Sequence, residues 1–190
     1  MDIINRQELV LQKEDYFDKI NSGSVFIHPT DTIYGLGCDA TNFSAVMLLR
    51  ELKQRTTMPF SVIAPSIKWI RENCETEAIY DEWISKLPGP YTLVLKLKNK
   101  RAIAGNVNCG LPTLGVRIPK HWFSKVVEEL DKPVVTTSAN ISGENFMTHL
   151  EELDSRISSK LEFAIYEGPK KGKPSTLVKL IDGKAEIIER

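Results

Sequence analysis

SVFIHPTDTIYGLG, residues 24–37, changes character halfway along. Residues 24–28 are a β-rich apolar run that Pro29 stops, because proline cannot donate to a sheet ladder. Pro29-Thr30-Asp31-Thr32-Ile33-Tyr34-Gly35-Leu36-Gly37 follows as a polar loop. Thr30 and Thr32 are two residues apart, so an extended backbone points both hydroxyls to one side. Gly35 and Gly37 permit a tight turn and close approach of a ligand. The same residues also read as an ordinary strand-to-helix turn whose Thr and Asp satisfy backbone groups. Neither a Walker loop nor a GxGxxG fingerprint is present.

Outward from this stretch, strands alternate with helices. Residues 15–21 fit a short amphipathic helix ended by Ser22-Gly23. Asn42 suits an N-cap, and Ala45, Val46, Leu48, Leu49 and Leu52 recur at helical spacing through Lys53. Further strands are expected at 60–64, 91–98, 114–118, 133–137, 163–166, 176–181 and 185–188. Further helices are expected at 68–73, 77–86, 120–130 and, weakly, 148–158. Residues 101–113 are loop, and 168–174 (GPKKGKP) form a basic loop. This order implies a single α/β or α+β domain over residues 1–190, with a mixed sheet.

The 190 residues carry 25 Lys plus Arg against 25 Asp plus Glu, a formal net charge of zero. That balance excludes a polybasic nucleic-acid wrapper and an acidic disordered tail, but not a local basic pocket. Cys38, Cys74 and Cys109 are too scattered for a disulfide framework or a zinc ribbon. No signal-peptide core or membrane-length apolar run occurs, so a reducing cytoplasmic location is expected.

Three other stretches carry polar groups at strand or helix ends. Lys53 and Arg55 close the helix that begins at Asn42; they complement its dipole or bracket phosphate oxygens. Arg117 stands inside the apolar run Leu114-Gly115-Val116-Arg117-Ile118, so it either faces outward or pairs with an anion. Thr136-Thr137-Ser138-Ala139-Asn140-Ile141-Ser142-Gly143 is a small-residue loop, either an ordinary turn or an anion-binding nest. His28, His121 and His149 form no metal-ligand cluster, no GxSxG elbow occurs, and Cys38 reads as a small buried thiol.

Taken in order, these elements resemble the YrdC/TsaC family of threonylcarbamoyl-AMP synthases. PTDTIYGLG is similar to its PT[ED]TxYGLG signature. Lys53-Gln54-Arg55 matches KxR, Pro88-Gly89-Pro90 with Thr92 matches PGPxT, and Val116 to Pro119 match VRxP. Ser138-Ala139-Asn140 with Ser142-Gly143 matches SANxSG, and Ser175-Thr176-Leu177-Val178 is similar to STVV. The resemblance runs from about Val25 to Arg190.

It implies a twisted, mostly mixed sheet with flanking helices around a concave positive cavity. The implied reaction makes L-threonylcarbamoyl-AMP and pyrophosphate from L-threonine, bicarbonate or CO2, and ATP with Mg2+, with no tightly bound cofactor and no resident metal. The product would pass to a tRNA threonylcarbamoyl transferase for t6A modification beside the anticodon. Thr32, Arg117, Thr136 and Ser175 would bind threonine. Lys53 and Arg55 would be catalytic and, with Thr113, Ser138, Asn140 and Arg190, would bind ATP. Residues 55–60 (RTTMPF) are one residue shorter than the pattern and lack a polar ATP contact. Where longer relatives have Ser-Pro-Thr, this chain has Phe146-Met147-Thr148, and it is expected to be the short, single-domain type. Competing readings are an RNA-binding module, with weak tRNA contact, a carbamoyl-transfer module, and an inactive paralogue.

Overall fold

The computed structural model describes residues 1–188, so Arg190 lies outside the described residues. Ten strands run in chain order as β1 (Asp2–Ile4), β2 (Phe26–His28), β3 (Gly35–Gly37), β4 (Ser61–Ile63), β5 (Tyr91–Lys96), β6 (Thr113–Arg117), β7 (Val134–Ser138), β8 (Phe163–Ile165), β9 (Thr176–Ile181) and β10 (Lys184–Ile188). The helices are α1 (Arg6–Leu11), α2 (Lys13–Asn21), α3 (Phe43–Lys53), α4 (Ile67–Asn73), α5 (Asp81–Ile84), α6 (Phe123–Leu130) and α7 (Ser155–Ser158). Among the described residues these ten strands join one sheet in the order β1-β8-β2-β3-β7-β4-β6-β5-β9-β10. The sheet is mixed: β4 is parallel to β6 and antiparallel to β7, while β5 is antiparallel to β6 and parallel to β9.

The expected α/β class and mixed sheet hold. Asn42 caps α3 as expected, its side chain accepting from the Ala45 amide at 3.1 Å, a contact that contributes about 1 kcal/mol. The expected strand at 24–28 holds as β2, whereas the reading of 29–37 as a strand-to-helix turn does not. The segment doubles back, and β2 pairs antiparallel with β3, His28 opposite Gly35. A two-glycine strand has poor intrinsic propensity; β3 forms because it is inserted between β2 and β7. Its Gly35 is required: a Cβ there would meet the His28 ring at 2.6 Å. The expected helix at 77–86 splits into a 3-10 turn, Ala78–Tyr80, and α5. That at 148–158 splits into a 3-10 turn, Leu150–Glu152, and α7. No described helix is long and apolar enough to cross a membrane.

Alternation along the strands gives the sheet two unlike faces. Leu36, Val62, Leu93, Val116 and Val135 point to one face and are fully buried with Ala45, Val46 and Leu49 of α3. Phe26, Ile63, Val134 and Phe163 point to the other, against α1, α2 and α6. This second layer covers only part of its face. Farther along, the same alternate positions are Gly35, Ser61, Thr92, Gly115, Arg117, Thr136 and Ser138, small or polar. Removing about 25 cal/mol per Å² of apolar surface from water drives the first layer together; the small polar stretch gives a helix nothing to bury against and stays open.

Candidate active site

A cavity of about 880 Å³ lies over this polar stretch. Its charged lining residues are Arg55, Arg117 and Glu144, and Glu144 also pairs with Arg156 at 3.1 Å. Gly115 keeps the floor low, because a Cβ there would meet Ser61 Oγ at 2.5 Å. The cavity gathers residues 30 and 32–35, 58–61, 136–138, and 174, 175 and 177, which are far apart in the chain.

One end is built on Arg117, at the C-terminal end of β6 and nearly buried. Its Nη2 donates to Asp31 Oδ1 at 2.6 Å, and Nη1 and Nη2 reach Thr32 Oγ1 at 3.4 and 3.3 Å. Arg117 thus pairs with an anion rather than facing outward, but with a side chain of the chain's own loop. Asp31 Oδ2 accepts from the Lys120 amide at 2.9 Å, which ties that loop to the start of the α6 segment. Thr30 Oγ1 donates to Ile33 O at 2.7 Å and lies 2.9 Å from Thr32 Oγ1. With the Thr30 proton so committed, Thr32 donates to Thr30 and offers its lone pairs toward Arg117. Thr136 and Ser175 complete this end; Ser175 Oγ shares a hydrogen bond of 2.7 Å with Thr92 Oγ1.

The other end is built on Ser138 and Arg55. Ile63 is in register with Arg117 and Val134, and Ser61 with Gly115 and Thr136. Ser138 therefore lies four residues along β7 from the Arg117 level, roughly 13 Å away. Arg55 Nη2 donates to Pro59 O at 2.6 Å and its guanidinium lies over Phe60, 5.0 Å from the ring centre.

Lys53 does not line the cavity. Its ammonium sits beneath the 138–140 loop and donates to Ser138 O at 2.6 Å and Asn140 Oδ1 at 2.8 Å. Asn140 Oδ1 also accepts from Ser138 Oγ at 2.6 Å. Burial, and secondarily the Arg55 charge, lower the Lys53 amine to about 7. Thr113, at the opposite end of β6 from Arg117, is likewise outside the cavity lining. The structure thus brings Thr32, Arg55, Arg117, Thr136, Ser138 and Ser175 into one cavity, with Lys53 and Asn140 directly behind Ser138.

Two features escape the sequence reading. Local sequence offers Asp31 only as a turn residue that satisfies backbone groups; its second role, the ion pair with Arg117, joins residues 86 apart in the chain. The basic loop 168–174 folds over Thr32: a Cβ on Gly172 would stand 1.7 Å from Thr32 O. Tyr34 latches this loop, its hydroxyl donating to Gly168 O at 2.7 Å and accepting from the Glu167 amide at 3.1 Å. The desolvated phenol is pushed up to about 12 and remains a donor.

Residues 18–190 match the Sua5/YciO/YrdC family model, described as "Telomere recombination". A protein of Methanocaldococcus jannaschii named "Putative threonylcarbamoyl-AMP synthase" is 32% identical over 191 residues, covering 95% of this chain and 86% of that protein. P. abyssi Sua5, solved in complex with L-threonine, superposes with a TM-score of 0.86 at 27% identity, over 100% of this chain. The chain spans 57% of that Sua5 chain. E. coli YciO shares the fold, with a TM-score of 0.83 at 20% identity over 100% of this chain and 93% of its own. The match over residues 18–190, with the conjunction of loops that builds this cavity, shows that the chain belongs to the Sua5/YciO/YrdC family.

Proposed function

We propose that the chain is a nucleotidyltransferase that makes L-threonylcarbamoyl-AMP and pyrophosphate from L-threonine, bicarbonate or CO2, and ATP. The observation that carries this reading is one cavity with an amino-acid end and a phosphate end. The Arg117 guanidinium, oriented by Asp31, is the cation at this end to which a substrate carboxylate would bind by exchanging with the long Thr32 contacts. The hydroxyls of Thr32, Thr136 and Ser175 suit the amine and hydroxyl of threonine. Hydrogen bonds of that kind select threonine over valine, which an apolar pocket cannot do. Arg55, backed by Lys53 behind Ser138, faces the triphosphate. The threonine-bound Sua5 relative supports the amino-acid assignment.

The chemistry is positional. The threonine ammonium releases one proton to solvent. Its free amine forms an N–C bond to CO2 as one C=O π bond becomes the carbamate oxyanion and a second N–H proton leaves to solvent. Bicarbonate, where it is the source, has first taken up a proton and lost water to become CO2. A carbamate oxygen attacks the α-phosphorus in line as pyrophosphate departs. Orientation and charge stabilisation supply such a step, and no side-chain nucleophile is needed. Mg2+ arrives with ATP as part of that substrate. Thr113 lies outside the cavity lining and Arg190 outside the described residues, and neither carries a step of this reaction. The product would serve a tRNA threonylcarbamoyl transferase acting beside the anticodon, with at most weak direct tRNA contact, in the cytoplasm.

The test is pyrophosphate release from ATP with threonine and bicarbonate omitted in turn. Release that requires both is expected. Release indifferent to threonine overturns the reading, and absence of turnover with RNA binding intact favours the RNA-binding alternative.

A further inference from the structure

Arg50, near the end of α3, is 6% exposed and has no place in the site described above. Its guanidinium is held by neutral groups. Nε donates to Asn106 O at 2.8 Å. Nη1 donates to the carbonyls of Arg55 at 3.0 Å and Met58 at 3.1 Å, with a longer approach to Thr56 O. Nη2 donates to Val107 O at 3.2 Å and Cys109 Sγ at 2.9 Å. All five N–H donors of the fork are thereby used, and none of these acceptors is a carboxylate. Burying a cation against dipoles alone is costly, so a purely space-filling role would suit an apolar side chain better.

What the fork holds is the loop that carries Arg55. The Arg55 amide donates to Arg50 O at 3.0 Å while the Arg50 guanidinium takes Arg55 O, so residue 50 binds both backbone groups of residue 55. The Phe60 amide donates at 2.8 Å to Val107 O, the carbonyl that Arg50 Nη2 also engages. The Phe60 ring carries both guanidiniums, Arg50 at 4.6 Å and Arg55 at 5.0 Å. Between these anchors residues 56–59 are exposed. Nothing in the apolar core fixes them.

We propose that Arg50 is a positioning residue for the nucleoside triphosphate: it fixes the 54–60 loop so that the Arg55 guanidinium is presented to the phosphate end of the cavity. The inference rests on the reading of Arg55 as a phosphate contact. It explains why Arg and not Lys stands here. A lysine has three donors on one atom and cannot span carbonyls of two separate loops.

The experiment compares wild type, Arg50→Lys and Arg50→Met by calorimetry with Mg·ATP and, separately, with L-threonine, and by amide hydrogen exchange over residues 54–60. Arg50→Lys keeps the charge and Arg50→Met keeps the stem against Phe60, so at least one folded variant is available. ATP affinity is expected to fall about tenfold or more in both, as displacement of a positioned group allows. Threonine affinity should stay within about twofold, and exchange at Arg55 and Phe60 should quicken. A general folding defect would weaken both ligands together, and that result overturns the proposal. So does unchanged ATP affinity in a folded variant. If wild type binds no ATP, the functional reading fails by itself, and unchanged exchange over 54–60 still overturns the positioning role.

Discussion

Arg117 Nη2 lies 2.6 Å from Asp31 Oδ1, and the two side chains are 6% and 11% exposed. A buried pair broken on one side leaves the other charge stranded, at a cost of about 3 kcal/mol or more. Asp31→Ala should therefore lower the free energy of urea unfolding by that order. Arg117→Ala should weaken threonine binding about a hundredfold, the worth of two charge-assisted hydrogen bonds. Calorimetry with threonine measures this, and an unchanged dissociation constant removes Arg117 from the amino-acid site.

Lys53 titrates near 10.5 when unfolded and at about 7 in the fold, where burial disfavours its charge. Between those values the unfolded chain holds more protons, so the stability set by this group rises as pH climbs from about 7 towards 10.5. Phosphates bound beside Ser138 would favour the ammonium again. ATP binding at pH 8 should thus take up protons, seen as a dependence of binding enthalpy on buffer ionisation heat. Lys53→Met should abolish that uptake. Equal enthalpies in all buffers for wild type would show that the phosphates bind elsewhere.

Gly172 packs its α-carbon onto the backbone of Thr32, where a methyl would stand 1.7 Å from the carbonyl oxygen. Both partners are backbone, so neither side can rotate away. Gly172→Ala should lift the 168–174 loop and raise the KM for threonine roughly tenfold with the thermal midpoint nearly unchanged. A variant with wild-type KM would mean that this loop does not bound the threonine end.

His28 is fully buried, its ring stacked on Phe123 at 4.8 Å, and burial lowers it to about 3 from 6.5. The unfolded chain binds the extra proton between those values, so stability falls as pH drops from about 6.5 to 3. At about 1.4 kcal/mol per pH unit, the loss reaches roughly 5 kcal/mol. His28→Leu should flatten acid unfolding across this window. An acid midpoint identical to wild type would assign the acid sensitivity to other groups.

Local sequence rules were sufficient for α3, whose Asn42 cap and apolar spacing need no distant partner. They also served for β5, β6 and β7, short runs rich in Val, Leu and Thr that prolines bound at 90, 112, 119 and 133. They failed at β1 and β3, which exist only through pairing with β8 and with β2 and β7. They also failed for the helices near 77–86 and 148–158, each of which folds as a 3-10 turn and a separate four-residue helix.

The chain's own order of residues determined the sheet-and-helix class, the motifs and the residue types of the site. It left open which groups meet. Tertiary structure alone decided that Asp31 neutralises Arg117, that Lys53 lies under the 138–140 loop, that Thr113 is away from the cavity, and that Arg50 binds the Arg55 loop. The reason is physical: propensity and periodicity act over a few neighbouring residues. A charge pair or a guanidinium spanning two loops depends on sheet register, which only the folded chain fixes.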